Sequence, residues 1–147
     1  MSADTPFEFE IELFDVDDCP PAQAIHRALS DHNLAEFGPP NRQPLVLSIS
    51  DPDGKLVAGL RGSSHWNWLY ISHLWVAPTH RKLHLGRHLM ARAEDEARQR
   101  GCVGGYVDTF SPEALRFYQS LGYELFGQLD QFPPGHQRSF LWKRLDG

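Results

Sequence analysis

The stretch Leu74-Trp75-Val76-Ala77-Pro78-Thr79-His80-Arg81-Lys82-Leu83-His84-Leu85-Gly86-Arg87 holds the densest chemistry in this chain. Three apolar residues close a strand, a proline bends the chain, and Arg81, Lys82 and Arg87 gather around Gly86, where an amphipathic helix opens. The first N–H groups of a helix have no partner inside it, and the helix dipole adds positive potential there. Such a turn receives a compact anion, a diphosphate above all. A solvated basic turn has the same composition, so this stretch alone does not decide between the two. His80, His84 and His88 recur every four residues, but the first two fall before or at the helix start. No cysteine or carboxylate accompanies them, and no metal is expected.

The elements that must hold this turn are legible from periodicity. Phe7, Phe9, Ile11 and Leu13 alternate with glutamates, which predicts a half-buried strand. Asp17 and Asp18 before Pro20-Pro21 signal a helix start, with Ile25, Ala28 and Leu29 as its inner stripe. Residues 33–42 read as an irregular connection with room for one further helical turn. Strands are expected over 44–50 and 55–63, joined by the turn Asp51-Pro52-Asp53-Gly54, and a longer strand over 68–76. A helix over 86–100 carries Leu85, Leu89, Ala93 and Ala97 on one side, with Glu94–Arg98 and Glu96–Arg100 paired toward solvent. A strand over 102–109 follows. Ser111 then caps a helix with Pro112 in its first turn, and strands over 123–126 and 139–143 flank the loop 131–136. The order is that of a mixed α/β protein, expected as one domain over 1–147.

Composition bounds the partners. The chain has 147 residues, 41% hydrophobic and 22% charged, with a net charge of −5. An acidic protein of this kind is expected to engage neither nucleic acid nor an anionic membrane, so its basic turn is a local site. Cys19 and Cys102 are the only cysteines, which fits a reducing compartment better than a disulfide framework. No apolar run reaches the roughly 20 residues that span a bilayer. The acidic start MSADTPFEFE lacks the features of a signal peptide, and a cytoplasmic location is expected.

Two motifs together point to a family. The run from Val76 through Arg81, Gly86 and Arg87 resembles the pyrophosphate loop of the GNAT N-acetyltransferases, which reads Arg or Gln, two residues, Gly, one residue, then Gly or Ala. Arg81 and Gly86 fit its ends, and His84 stands where the first glycine is expected. Downstream, Ala114-Leu115-Arg116-Phe117-Tyr118-Gln119-Ser120-Leu121-Gly122-Tyr123 is similar to the second signature of that family. The resemblance implies a mixed, mostly antiparallel sheet with helices on both faces. It also implies that the parallel strands 68–76 and 102–109 splay apart and admit acetyl-CoA as cosubstrate. The expected acetyl-CoA contacts are Leu74, Trp75, Val76, Arg81, Lys82, Leu83, His84, Leu85, Gly86, Arg87, Ser111 and Phe117. The Val76 N–H would polarise the thioester carbonyl, and Tyr118 would protonate the departing thiolate.

The reaction implied is direct acetyl transfer to a primary amine, on a small molecule or a peptide. A His, a carboxylate or a water chain would take the amine proton, and His73 and Asp108 are the candidates on the two strands. His84 in place of glycine is expected to re-route the loop or to take a right-handed conformation. Trp66, Trp68 and Tyr70 alternate on one strand face and suit packing better than a pocket, and His136 is a further pocket candidate. Two rivals stand beside the transferase: a non-catalytic acyl-CoA sensor of the same fold, and a nucleotide-binding α/β domain. Resembled proteins are often dimers, so a homodimer is among the expectations.

Overall fold

The structure is a computed structural model in which residues 6–147 are described. The chain forms two compact units, Met1–Pro39 and Pro40–Gly147.

The first unit contains one helix, α1 (Pro20–Phe37). Prolines occupy its first turn, where their missing N–H is not needed, and Gly38 ends it at φ 80° with its N–H donating to the Leu34 carbonyl. No residue of α1 is buried, so the expected inner stripe of Ile25 and Leu29 has no core within this unit. The alternation over 7–13 also forms no strand. Alternation supplies the faces of a strand but not the neighbouring backbone that must accept and donate its ladder hydrogen bonds.

The second unit is built on a six-stranded sheet of order β1-β2-β3-β4-β6-β5. Its strands are β1 (Gln43–Ser50), β2 (Leu56–His65), β3 (Trp68–Val76), β4 (Gly104–Thr109), β5 (Glu124–Asp130) and β6 (Gln137–Arg144). β3 and β4 pair in parallel, and every other pair is antiparallel. A 3₁₀ turn (Pro78–Leu83) and α2 (Leu85–Gln99) link β3 to β4, and α3 (Pro112–Ser120) links β4 to β5. The expected mixed sheet flanked by helices is therefore present. No helix among the described residues is long and apolar enough to cross a membrane.

One face of the sheet makes the core. Leu69 and Ile71 of β3, Val107 of β4 and Leu141 of β6 join Leu89, Met90, Ala93 and Ala97 of α2 and Tyr118 of α3 in one buried cluster. Period-2 strands and a period-3.6 stripe meet here as amphipathic patterning requires. The opposite face is aromatic: Tyr70 stacks on Tyr106 with ring centroids 4.7 Å apart, and Trp68 lies between Tyr106 and Trp142. Gly104 makes room for it, since a Cβ there would sit 2.7 Å from the Trp68 ring.

One expectation about α2 needs correction. Glu94 does not face solvent; it is 5% exposed. Its carboxylate accepts from the Tyr123 hydroxyl at 2.9 Å and from Lys143 Nζ at 2.8 Å, with Arg98 farther off at 3.8 Å. A carboxylate is buried only when paired, and Lys143 of β6 and Tyr123, just before β5, supply the partners here. Glu96–Arg100 forms as expected at 3.0 Å. Arg100 also donates to the Gln43 and Pro44 carbonyls, tying α2 to the start of β1.

Candidate active site

The site begins where the parallel strands part. β3 and β4 are paired from Trp68↔Gly104 to Ile71↔Val107 and no further. Beyond that rung β3 stays with β2 as far as Val76, and β4 stays with β6 as far as Thr109. The register of β3 against β2 jumps at the same place, leaving Ser72 as an extra residue whose hydroxyl donates to the Arg61 carbonyl. A bulge adds local twist, and here it turns β3 away from β4. The backbone of Leu74, Trp75 and Val76 is thereby left facing an opening.

That opening is a cleft of ≈ 490 Å³ lined by Leu74, Trp75 and Val76 of β3, Arg81 and His84 of the turn, and Gly86 and Arg87 of α2. Ser111, Glu113, Ala114, Phe117 and Tyr118 form its other wall. α2 and α3 approach closely at its floor: a Cβ on Gly86 would lie 3.4 Å from the Phe117 ring and 3.8 Å from Val76 Cγ2. Glycine is thus the residue that keeps both the helix contact and the cleft. Of the expected contacts, Lys82, Leu83 and Leu85 do not line the cleft. Lys82 and Leu83 are exposed, and Leu85 packs on the core.

One end of the cleft is built for an anion. The first hydrogen bond of α2 runs from His88 N–H to the His84 carbonyl, so the N–H groups of Leu85, Gly86 and Arg87 precede the helical ladder. His84 has φ 57° and ψ 29°, the left-handed conformation, directly after a right-handed 3₁₀ turn. Consecutive right- and left-handed residues turn successive N–H groups into one concavity, a nest for anions. The expectation that histidine would re-route the loop or stay right-handed is therefore corrected: His84 takes the conformation a glycine would take. Histidine is among the residues that tolerate this region better than most, though at a cost. Arg81 is anchored by Nε on the Val76 carbonyl at 3.3 Å, which leaves its terminal nitrogens to the cleft. Arg87 reaches Ser120 Oγ at 3.4 Å across to α3. Two guanidinium groups and a nest suit the diphosphate of coenzyme A in charge and in donor geometry.

Tyr118 forms part of the other end. Its ring is 6% exposed, held edge-on between Phe117 and Tyr123 with centroids at 5.4 and 5.9 Å. Its hydroxyl has no hydrogen-bond partner among the described residues, although the ring lines the cleft. Burial, and then the negative charge of Asp108, push the phenol up to about 12, so it stays protonated at neutral pH. Ser111 Oγ accepts from the Ala114 N–H, so the serine both caps α3 and lines the cleft.

The two candidate proton acceptors differ in engagement. Asp108, at the end of β4, accepts the Tyr70 hydroxyl on Oδ2 at 2.8 Å and Arg138 on Oδ1 from both Nε and Nη2, at 3.0 and 2.6 Å. Burial, and then the hydrogen bond and charge of the same carboxylate, raise the Tyr70 phenol to about 12. Arg138 is enclosed by the rings of Phe110, Phe132 and Phe140 at 5.3, 4.7 and 5.6 Å. His73 is exposed, with Nδ1 2.8 Å from Ser72 Oγ, and lines neither of the cavities beside α3. Neither Arg138 nor Glu113 was singled out from sequence. Arg138 reaches Asp108 across 30 residues, and no local spacing announces such a pair. Trp66 sits in the β2–β3 turn at φ 44°, apart from the face that Trp68 and Tyr70 share.

A second cavity, of ≈ 510 Å³, lies on the other flank of α3. Phe110, Pro112 and Leu115 face Gln128, Asp130, Gln137 and Ser139 across it, with Gln131 and His136 at the loop. Ser111 lines both cavities.

Comparison with known proteins agrees with this geometry. The sequence profile of the Acetyltransferase (GNAT) family matches residues 10–123. An acetyltransferase of Agrobacterium fabrum, Atu2258, is 38% identical over 133 residues, covering 90% of this chain and 97% of the relative. A blasticidin-S acetyltransferase of Streptomyces morookaense is 42% identical over 93 residues, covering 63% of this chain and 68% of its own. A crystal structure from Agrobacterium tumefaciens superimposes with a TM-score of 0.85 at 37% identity, covering 92% of this chain and 99% of that one. Splayed strands, an anion nest at the start of α2 and a protonated tyrosine across the cleft are what this relationship accounts for: the chain belongs to the GNAT family of acetyltransferases.

Proposed function

We propose that this protein transfers the acetyl group of acetyl-CoA directly to a primary amine, with Tyr118 as the acid. One observation carries the reading: a buried tyrosine whose hydroxyl has no partner among the described residues stands in the wall of a cleft whose far end is a cationic nest. A tyrosine kept for packing would have its hydroxyl satisfied locally.

The residues divide the work by position. The Leu85, Gly86 and Arg87 N–H groups, with Arg81 and Arg87, hold the diphosphate. The exposed backbone of Leu74–Val76 orients the acyl arm, with the Val76 N–H directed at the thioester carbonyl. Bound acetyl-CoA supplies the activated acyl group. Tyr118 gives its proton to the departing sulfur, which a group of raised pKa still holds at neutral pH. Both oxygens of Asp108 already accept charged or phenolic hydrogen bonds, which suits it to holding Tyr70 and Arg138 in place. His73 keeps a ring nitrogen free of partners among the described residues and, standing outside the cleft lining, takes the amine proton through water. The acceptor is a small-molecule amine on this reading, a choice supported by the blasticidin-S acetyltransferase among the relatives.

A histidine in place of the loop glycine and the lack of an obvious base speak for the rival, a non-catalytic acyl-CoA sensor; the left-handed backbone of His84 weakens the first of these grounds. The test is thiol release from acetyl-CoA with a panel of small amines, comparing wild type with Tyr118→Phe. Amine-dependent release that drops about 10²-fold or more in the variant, at unchanged acetyl-CoA affinity, is expected. Acetyl-CoA binding with no turnover on any amine would return the sensor reading.

A further inference from the structure

We infer that Ser72 is a positioning residue for the transfer: its hydroxyl holds His73 as the Nδ1–H tautomer and leaves Nε2 as the nitrogen that takes the amine proton. The inference rests on the transferase reading for the use of that nitrogen, and on the bulge in β3 for its geometry.

One hydroxyl makes two contacts here. Ser72 Oγ lies 3.1 Å from the Arg61 carbonyl oxygen and 2.8 Å from His73 Nδ1. A carbonyl oxygen can only accept, so the single hydroxyl hydrogen goes to Arg61. The serine oxygen then has only lone pairs for the imidazole, and both contacts hold together when Nδ1 carries the ring hydrogen. Nε2 of the neutral ring is thereby the acceptor. A hydrogen bond from one ring nitrogen to a fixed oxygen sets both the tautomer and the plane of an imidazole. A free histidine side chain in water prefers the other tautomer, with its hydrogen on Nε2.

The bulge is what brings the pair together. In a regular strand Ser72 and His73 would point to opposite faces of the sheet. Arg61 pairs with His73 and Gly62 with Ile71, so Ser72 is the extra residue, and its hydroxyl reaches the neighbouring ring. Gly62 permits this close approach, since a Cβ there would run into the Tyr70 carbonyl oxygen. The pair stands where β3 has just left β4, past the Ile71↔Val107 rung and one residue before Leu74 of the cleft lining.

In the transfer the amine nitrogen bonds the acetyl carbon as the C–S bond breaks. The amine proton passes to a water, the water gives a proton to His73 Nε2, and Tyr118 gives its own to the sulfur. Exchange with solvent returns both side chains to their starting state. Ser72 touches no reacting atom; it decides which ring nitrogen offers the lone pair.

The test uses the full chain with Ser72→Ala, Ser72→Thr, His73→Gln and the Ser72→Ala/His73→Gln double variant. Imidazole nitrogen and carbon NMR shifts in mild alkali, without substrate, read the tautomer, and the His73→Gln spectrum assigns the signals. Wild type and Ser72→Thr should show the Nδ1–H form, and Ser72→Ala the Nε2–H form. Thiol release with the fastest amine of the panel gives kcat. Ser72→Ala should lower it about tenfold at unchanged acetyl-CoA affinity, and Ser72→Thr should restore it to within about threefold of wild type. In the His73→Gln background the serine change should add nothing, because its effect runs through the imidazole. An Nε2–H wild type, a tautomer unmoved by Ser72→Ala, an unchanged kcat in that variant, or an equal loss in both backgrounds would overturn the inference. A tautomer that switches as expected in a protein that turns over no amine would keep the hydrogen-bond assignment and overturn the transferase reading instead.

Discussion

Arg138 sets both Nε and Nη2 on a single oxygen of Asp108, at 3.0 and 2.6 Å. Tyr70 takes the other oxygen, so the three groups lock β3, β4 and β6 together where the first two strands part. The Asp108 and Arg138 side chains are 13% and 25% exposed, between the surface and the fully buried regime.

Asp108→Asn should therefore act on stability before it acts on chemistry. It leaves a guanidinium caged by three phenylalanines without its counter-charge, which costs about 2 kcal/mol after allowance for partial exposure. The shift in urea midpoint measures this. Turnover should fall far less than the 10²- to 10⁴-fold typical of a lost general base, and the acidic limb of its pH profile should remain. Disappearance of that limb would make Asp108 the base after all.

Tyr118 carries a signature in alkali. Its folded-state value of about 12 lies above the ordinary 10, so the fold favours the protonated phenol. That contribution is fully present below pH 10 and is lost as pH rises toward 12, an effect of order 3 kcal/mol for a two-unit shift. Tyr118→Phe should flatten the loss of stability over that window relative to wild type. Tyr70 and Tyr123 are raised as well and remain in the variant, so the difference between the two curves isolates Tyr118. Superimposable alkaline melts would mean that Tyr118 is not a buried acid.

The Glu94 cluster sets up an ordered pair of outcomes. Lys143→Met strands a carboxylate that is 5% exposed on the Tyr123 hydroxyl and a distant Arg98, and should cost about 3 kcal/mol. Glu94→Gln leaves Lys143, 24% exposed, free to turn to water and should cost less. Denaturant curves giving the opposite order would show that the ion pair does not hold α2 to β6.

These networks mark the limit of what the sequence could reveal. The span of β3 is legible in the sequence, because Trp68–Val76 is bounded by a turn and a proline and is apolar or aromatic but for Ser72 and His73, while its bulge at Ser72 is not. Most of the cleft lining is legible because its residues lie in short runs, Leu74–Val76, Arg81–Arg87 and Ser111–Tyr118. Glu94 was misplaced because an i,i+4 arginine predicts a surface pair, whereas its stronger partners stand 29 and 49 residues away. The N-terminal alternation failed for a related reason: period 2 describes side chains, and a strand exists only when another backbone completes its ladder.

His84 is where local cost and function meet. A non-glycine residue at φ 57° costs about 1 kcal/mol against glycine, and less for histidine than for a β-branched residue. His84→Gly should raise stability by up to about 1 kcal/mol, reduced by the greater freedom glycine gives the unfolded chain. Because the backbone already has glycine's conformation, the nest should survive and acetyl-CoA affinity should change less than threefold. His84→Val forces a β-branched side chain into the same dihedrals and should lower both stability and affinity, the affinity about tenfold as the N–H groups turn away from the anion. Paired thermal melts and acetyl-CoA titrations read all four numbers. A large loss of affinity in the glycine variant would mean that the imidazole itself, which lines the cleft, contacts the bound anion. The nest would then be only part of the site.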